Sequence, residues 1–501
     1  MNRNDTAPNV GRLFFPQSQS LGVDQGSYSP HVLRQIVYAG VQNTSFAAGR
    51  DDLLNLARLK ISEKQVERVT ERIGQERVEQ RGAQVQAFLK LPVMEKFAAA
   101  VAHPPDLAVV EMDGGRLQIR NEKQSEPTIT GVASPVEEVG RAVEATPGPA
   151  VAEPAVAVEA TPGPAVAEPA VAVEATPGPA VAEPAVAVEA TPGPAVAGPS
   201  ASETRNHWRE DKIGLLMTMT SEKSAGDPCP AIPETFVNPL RIIKLARELH
   251  KGCAPSEDAV AKPSDPEQDS PLECPEYIPP TVRVKSMVAT RQDAESLGKT
   301  LATAAQSRGF YGAKRKAFVA DGAECNWTVQ KRWFSDFVPI IDFIHVLSYV
   351  FAAATAGRPF GQGWAAYVRW IGLVWQGSVA EVITELERRQ EELGLPTKDE
   401  SETSPRQVVA DTLRYLKNNQ DRMKYDEYRR LGLPITSSHV ESTVKQFNRR
   451  VKGTEKFWSE EGAEALLQLR ADYLSETETM EKFWQEREAA ATGRRCYRRA
   501  I

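Results

Sequence analysis

Two stretches of the chain end an apolar, β-branched run in an aspartate that a glycine follows at once: AVVEMDGG around Asp113 and KAFVADGA around Asp321. Such runs predict buried strands. The glycine lets the backbone turn away and leaves the carboxylate at the strand end. A third acid, Glu441, lies far downstream in LPITSSHVEST, on a predicted helix. Hard cations take carboxylate oxygens, and Mg2+ keeps waters that a substrate can displace. Asp113, Asp321 and Glu441 together therefore predict metal-dependent phosphoryl chemistry on nucleic acid. Two ions, Mg2+ or Mn2+, would stand roughly 3.5–4 Å apart across an in-line displacement at phosphorus. Asp113 would bridge them, with Asp321 and Glu441 each completing one site.

Each acid also has a plainer use. Asp113-Gly114 suits a hairpin turn, and Asp321 suits the cap of a helix starting at Gly322. Glu441 stands three residues after Ser438, the spacing of a capping box. Around Glu441 the helix pattern buries Val440, Val444, Phe447 and Val451. Lys445, Asn448, Arg449 and Lys452 share a face with the acid, where they would hold phosphates beside the ions; a solvated basic face is the alternative. Asp342 and His345, in IIDFIH, rank behind the three acids as a supporting pair. Trp364, Trp370 and Trp375 suit core packing first and stacking on unpaired bases second.

The elements that must position these groups follow from periodicity. Residues 1–27 read as a flexible leader and 28–100 as a helical, helix-turn-helix-like DNA-binding region. Within it Ser62 and Gln65 mark a helix start. Val66, Val69 and Ile73 make that helix's core stripe, and Lys64, Arg68 and Arg72 a basic one. A small bundle with solvated charges is the competing reading. Residues 104–121 read as a hairpin, LAVVEMD and RLQIR about Gly114-Gly115, with Lys212–Thr220 as a third strand. The stretch 122–204 reads as a disordered, acidic insertion. Its core is VEATPGPAVAEPAVA, repeated three times from Val143 with a truncated fourth copy, a composition that predicts an extended arm. The rest of the sheet falls in 205–345, interrupted by a Pro-rich excursion at 226–282. FVPIIDFIHV is its last strand. A helical insert spans 346–430, C-terminal helices with Glu441 span 431–485, and a basic tail spans 486–501. Three antiparallel strands, then helix, strand, helix, strand and closing helices, match the order of a ribonuclease H-like α/β core, a mixed sheet flanked by helices. In that order the first and fourth strands are neighbours, which would bring Asp113 beside Asp321.

The net charge of −7 does not argue against a nucleic-acid partner. Residues 143–200 hold seven Glu and no Lys or Arg, so the remainder of the chain is neutral and free to carry local basic faces. Five scattered cysteines show neither a CxxC pair nor zinc spacing, so reduced thiols are expected. No signal peptide or membrane span is expected, and the predicted location is the cytoplasm.

Several blocks resemble a known family. EMDGGRLQIR, HWREDKIG, KAFVADGAECNWTVQKRWF, PIIDFIH, LPITSSHVESTVKQFNRRVKGTEKFW and EGAEALLQLRADYL are similar to bacterial insertion-sequence transposases of the ISKra group, among the Asp-Asp-Glu transposases. The N-terminal stretch YSPHVLRQIVYAGVQNTSFAAG also resembles that group. The resemblance covers most of 28–121 and 205–485. It implies an endonuclease and strand transferase that binds terminal inverted repeats of double-stranded DNA, cuts there and joins the ends to target DNA. The working form would be a homo-oligomeric synaptic complex. The family's triad falls on Asp113, Asp321 and Glu441. The repeat array departs from the family's pattern but interrupts none of its motifs. The alternatives are a ribonuclease H-like nuclease that does not join, an inactive or domesticated copy that only binds DNA, and a scaffold organised by the Pro/Ala arm.

Overall fold

The computed structural model describes residues 13–14, 28–98, 101–120, 207–249, 277–453, 455–490 and 494–495. The repeat array, most of the leader, residues 250–276 of the Pro-rich excursion, and residues 491–493 and 496–501 of the basic tail lie outside the described residues. The described core is an α/β unit with a mixed sheet flanked by helices. Its strands are β1 (Leu107–Ile119), β2 (Trp208–Thr220), β3 (Thr281–Thr290), β4 (Arg315–Ala320) and β5 (Val338–Ile341). They lie in the order β3-β2-β1-β4-β5, and a two-residue strand, β6 (Phe457–Trp458), pairs with the far end of β1. The first three strands are antiparallel, whereas β4 and β5 run parallel to β1. The fourth strand thus lies beside the first.

The expected hairpin at 104–121 is not formed. The run continues through Gly114 and Gly115 as one strand that pairs with β2 along nearly its whole length. Neither glycine has a positive φ. Gly115 instead permits a close approach: a Cβ there would stand 2.9 Å from both carboxylate oxygens of Asp211 on β2. A second correction concerns the third strand. It is β3, a segment for which the sequence predicts no element, and the strand read there, Lys212–Thr220, is the second and begins at Trp208. The exposed edge of β3 is covered by the chain after a late helix: Lys285 N–H donates to Glu476 Oε2 (3.0 Å) and Met287 N–H to Ser475 Oγ (2.9 Å). Backbone donors left open at a sheet edge invite such cover. A third correction shortens FVPIIDFIHV: the strand stops at Ile341 and Asp342 caps a helix, so FIHV is helical. Pro339 is tolerated because β5 is an edge strand.

The amino-terminal helices are α1 (Pro30–Gln42), α2 (Phe46–Ala57) and α3 (Glu63–Lys90), capped by Ser29, Ser45 and Ser62. The last of these is the predicted helix start. α3 does not stand apart from the core. Gly74 lets it press on the helix Glu460–Leu474, where a Cβ would come within 2.6 Å of the Ala465 carbonyl. One turn on, the buried Arg77 grips the buried Asp472 through two hydrogen bonds of 2.9 and 3.1 Å. One sheet face is covered by Ala294–Ser307, whose Leu301 fills the space over Gly214. In the predicted insert, the helices Phe343–Thr355, Phe360–Trp375, Val379–Leu393 and Pro405–Asn419 pack on one another. Trp370 and Trp375 are core residues there; the Trp375 indole donates to the Cys229 carbonyl (2.7 Å) and the Arg429 guanidinium stacks 3.9 Å over its ring. Trp364 is half-buried and stacks on Phe360. Among the described residues no helix is long and apolar enough to cross a membrane.

Candidate metal centre

Sheet register does most of the positioning. Met112 pairs with Ala320 across the parallel β1–β4 ladder, and Ala320 pairs with Ile341 across β4–β5. The next residue on each strand is an acid, so Asp113, Asp321 and Asp342 stand in one row over three neighbouring strands. Asp321 is held by its turn: Oδ1 accepts from Ala323 N–H (3.0 Å) and from the Asn326 amide (2.8 Å). The helix that follows starts at Glu324 with Ala323 at its cap, so Asp321 shapes the turn rather than capping from Gly322. Asp113 Oδ1 accepts from the adjacent Gly114 N–H (2.7 Å).

Glu441 arrives on the helix Ser438–Val451, which lies on β1. Its cap is Ser437, not Ser438, and no capping box forms. The Ser437 hydroxyl donates to Asp342 Oδ2 (2.7 Å) instead. The Val440 N–H, which also reaches the Ser437 carbonyl (3.1 Å), donates to Glu111 Oε2 (2.8 Å), so an acid on β1 supplies a side-chain cap from across the packing interface. Two acids thereby fix the first turn that carries Glu441.

The structure gathers more acids than the sequence pattern predicts. Asp342 is fully buried, and its carboxylate accepts from Ile344 N–H (2.9 Å), Ser437 and His345 Nδ1 (2.9 Å). Asp342, His345 and Glu441 each offer a ligand atom within 4.8 Å of the others, and this group could hold a metal ion. Among the described residues the predicted trio of Asp113, Asp321 and Glu441 does not form such a compact set. Asp342 and His345, ranked as a supporting pair, thus stand closest to Glu441, while Asp113 and Asp321 line the adjoining strand ends.

Glu111 and Asp211 are additions that sequence reasoning missed. Glu111 is fully buried two residues before Asp113 on the same face of β1, and its Oε1 has no hydrogen-bond partner. The available signal was an acid interrupting AVVEM, an otherwise apolar run. Asp211 is fully buried opposite Gly115 with neither oxygen partnered.

Electrostatics follow from this crowding. Burial pushes the Asp113 carboxyl up to about 6, reinforced by the charges of Asp321 and Asp342. Burial likewise lifts Asp211 to about 6, and raises Glu441 with help from Asp342. Burial holds Glu111 well above the usual carboxylate range. Burial works against a charge on His345, but the hydrogen bond to Asp342 and the nearby Asp321 and Glu441 outweigh it and raise the imidazole to about 9. Perturbed acids of this kind cluster at functional sites and also in structural charge networks. The donor set, carboxylates with buried oxygens that lack partners beside one imidazole, could hold a metal ion.

The predicted basic groups divide. Lys445, Arg449 and Lys452 are exposed on the Glu441 helix; Asn448 is half-buried with its Oδ1 unpartnered. On α3, Lys64 and Arg68 are exposed, with Lys64 paired to Glu67 (2.8 Å), whereas Arg72 is half-buried and burial lowers its guanidinium. The three cations expected to form one stripe are therefore not equivalent. Comparison of the chain with models of protein families and with curated proteins finds no match.

Proposed function

We propose that this chain is an Asp-Asp-Glu transposase with a ribonuclease H-like core, cutting DNA at the ends of an insertion sequence and joining them to target DNA. The observation that carries the reading is the register row: Met112 and Ala320 are paired, so Asp113 and Asp321 leave adjacent strand ends, and the helix bearing Glu441 is pinned to the same strand through Glu111. The strand order supports it, since a first strand flanked by the second and the fourth is what such a core requires.

In this reading Asp113, Asp321 and Glu441 hold two ions, Mg2+ or Mn2+. Bound there, the ions would lower the pKa of the attacking water or hydroxyl and neutralise charge on the phosphoryl oxygens. Lys445, Arg449 and Lys452 line the approach and hold phosphates. Lys64 and Arg68 on α3 contact the terminal repeat, and the working form is a homo-oligomer on double-stranded DNA. The resemblance of the sequence blocks to ISKra-group transposases supports the choice of strand transfer over simple hydrolysis.

The test uses the full chain, Mg2+ or Mn2+, and DNA carrying the inverted repeats that flank the reading frame. Asp113→Asn, Asp321→Asn and Glu441→Gln should each abolish cleavage while leaving DNA binding within about twofold. Substantial cleavage by all three variants would overturn the proposal. Pre-nicked ends with a supercoiled target separate joining from cutting: absence of joined products would leave a nuclease.

A further inference from the structure

We infer that Asp342, His345 and Glu441 together hold one divalent cation through two carboxylates and an imidazole, and that this centre takes a first-row transition ion such as Mn2+ in preference to Mg2+. The inference deepens the reading above, with which it shares Glu441, but its geometry stands on its own residues.

Three placements converge. β5 ends at Ile341, so Asp342 is both the last residue of the sheet row and the cap of the next helix. His345 lies one turn into that helix and returns to the same side, its Nδ1 2.9 Å from Asp342 Oδ2. Glu441 comes from the first turn of a helix whose cap residue, Ser437, is itself bonded to Asp342. One ligand atom from each of the three lies within 4.8 Å of the others. Metal–ligand bonds of about 2.1 Å put neighbouring ligands of an octahedral ion about 3 Å apart and opposite ones about 4.2 Å apart, so a set within 4.8 Å closes onto one ion with a small side-chain adjustment.

A second observation is independent of that spacing. Glu441 Oε1 is buried and has no hydrogen-bond partner, and neither has Oε1 of the fully buried Glu111, whose other oxygen holds Val440 N–H. A buried carboxylate oxygen without a donor is costly unless something positive meets it. Ile344 N–H, the Ser437 hydroxyl and His345 Nδ1 leave Asp342 oriented, with about one lone pair to spare. Glu111, Asp113 and Asp321 add further acids around this centre, and a cation would offset their charge.

The imidazole decides the metal. Mg2+ demands oxygen donors and near-ideal octahedral geometry, whereas nitrogen donors favour first-row transition ions. A centre built from carboxylates alone would carry no such preference.

Pulsed electron paramagnetic resonance of the Mn2+-loaded full chain, without DNA, tests this directly. The expected spectrum carries nitrogen-14 modulation from a coordinated imidazole. His345→Gln should remove the modulation and weaken Mn2+ binding about tenfold or more, while changing Mg2+ binding, read by competition, about twofold or less. Glu441→Gln, at a half-exposed position, provides a second variant and should also weaken Mn2+ binding. Absence of nitrogen modulation in the native protein overturns the inference, as does modulation undiminished by His345→Gln. The two readings fail separately. DNA cleavage in Mg2+ with no nitrogen coupling removes this one and leaves the transposase proposal; nitrogen coupling in a chain that never cleaves DNA does the reverse.

Discussion

Asp113→Asn should stabilise the metal-free protein at neutral pH, although it removes a carboxylate central to the proposed chemistry. The Asp113 carboxyl is raised from 3.8 to about 6 in the folded chain. The folded state therefore holds this proton more tightly than the unfolded one. Its contribution is fully present below about pH 4 and is lost as the pH rises through about 6. A rise of roughly two units, at about 1.4 kcal/mol each, makes the penalty at pH 7.5 about 3 kcal/mol at most. Asparagine carries no charge, so the variant escapes it. Urea unfolding with chelator present should show Asp113→Asn more stable by about 1.5–3 kcal/mol at pH 7.5, falling to under about 1 kcal/mol at pH 4. A saturating divalent cation at pH 7.5 should shrink or reverse the gap, because only the native acid gains from the ion. A variant less stable than the native chain at pH 7.5, or a difference that does not change with pH, would refute the electrostatic account of this site.

Further expectations concern other parts of the molecule. Arg77→Ala leaves Asp472 buried without its partner and should cost about 3–5 kcal/mol in chemical denaturation. Arg77→Met with Asp472→Leu should recover much of that loss, and an additive double variant would show the pair to be uncoupled. Gly322→Ala would overlap the Tyr415 ring. It should lower DNA cleavage at least tenfold by displacing Asp321 while thermal melting shifts only modestly; unchanged cleavage would free the turn from that constraint. Lys445→Ala and Arg449→Ala should each weaken DNA binding and reduce the slope of log affinity against log salt by about one. An unaltered slope would assign those side chains to solvent.

Much of the architecture was legible because it is encoded locally. The serine ahead of α3 and the apolar runs of β1 and β4 announce their elements, and the two Asp-Gly strand ends announce the row they join. The errors share a physical origin. Gly114-Gly115 carries the composition of a turn, yet here one glycine yields room to the Asp211 carboxylate, a long-range contact no local pattern records. β3 was missed because TVRVKSMVAT mixes charge with β-branched residues directly after a Pro-rich segment. Ser438 and Glu441 have capping-box spacing, but Ser437 takes the cap and the Val440 N–H is met by Glu111 from β1. The centre was half visible for the same reason. Acids at strand ends can be found in sequence, whereas the burial of Glu111, Asp211 and Asp342 depends on which helix closes over them.

The junction where β1 hands over to β2 has a consequence for the tandem units between them. Ile119 N–H donates to the His207 carbonyl at 2.9 Å, so the departing and returning chain are clasped side by side just before and after that segment. A gain or loss of one fifteen-residue copy changes the path between two fixed posts and leaves the posts themselves alone. The pairing of Glu111 with Leu215 and Asp113 with Ile213 lies on the strand side of that clasp, away from the tandem units.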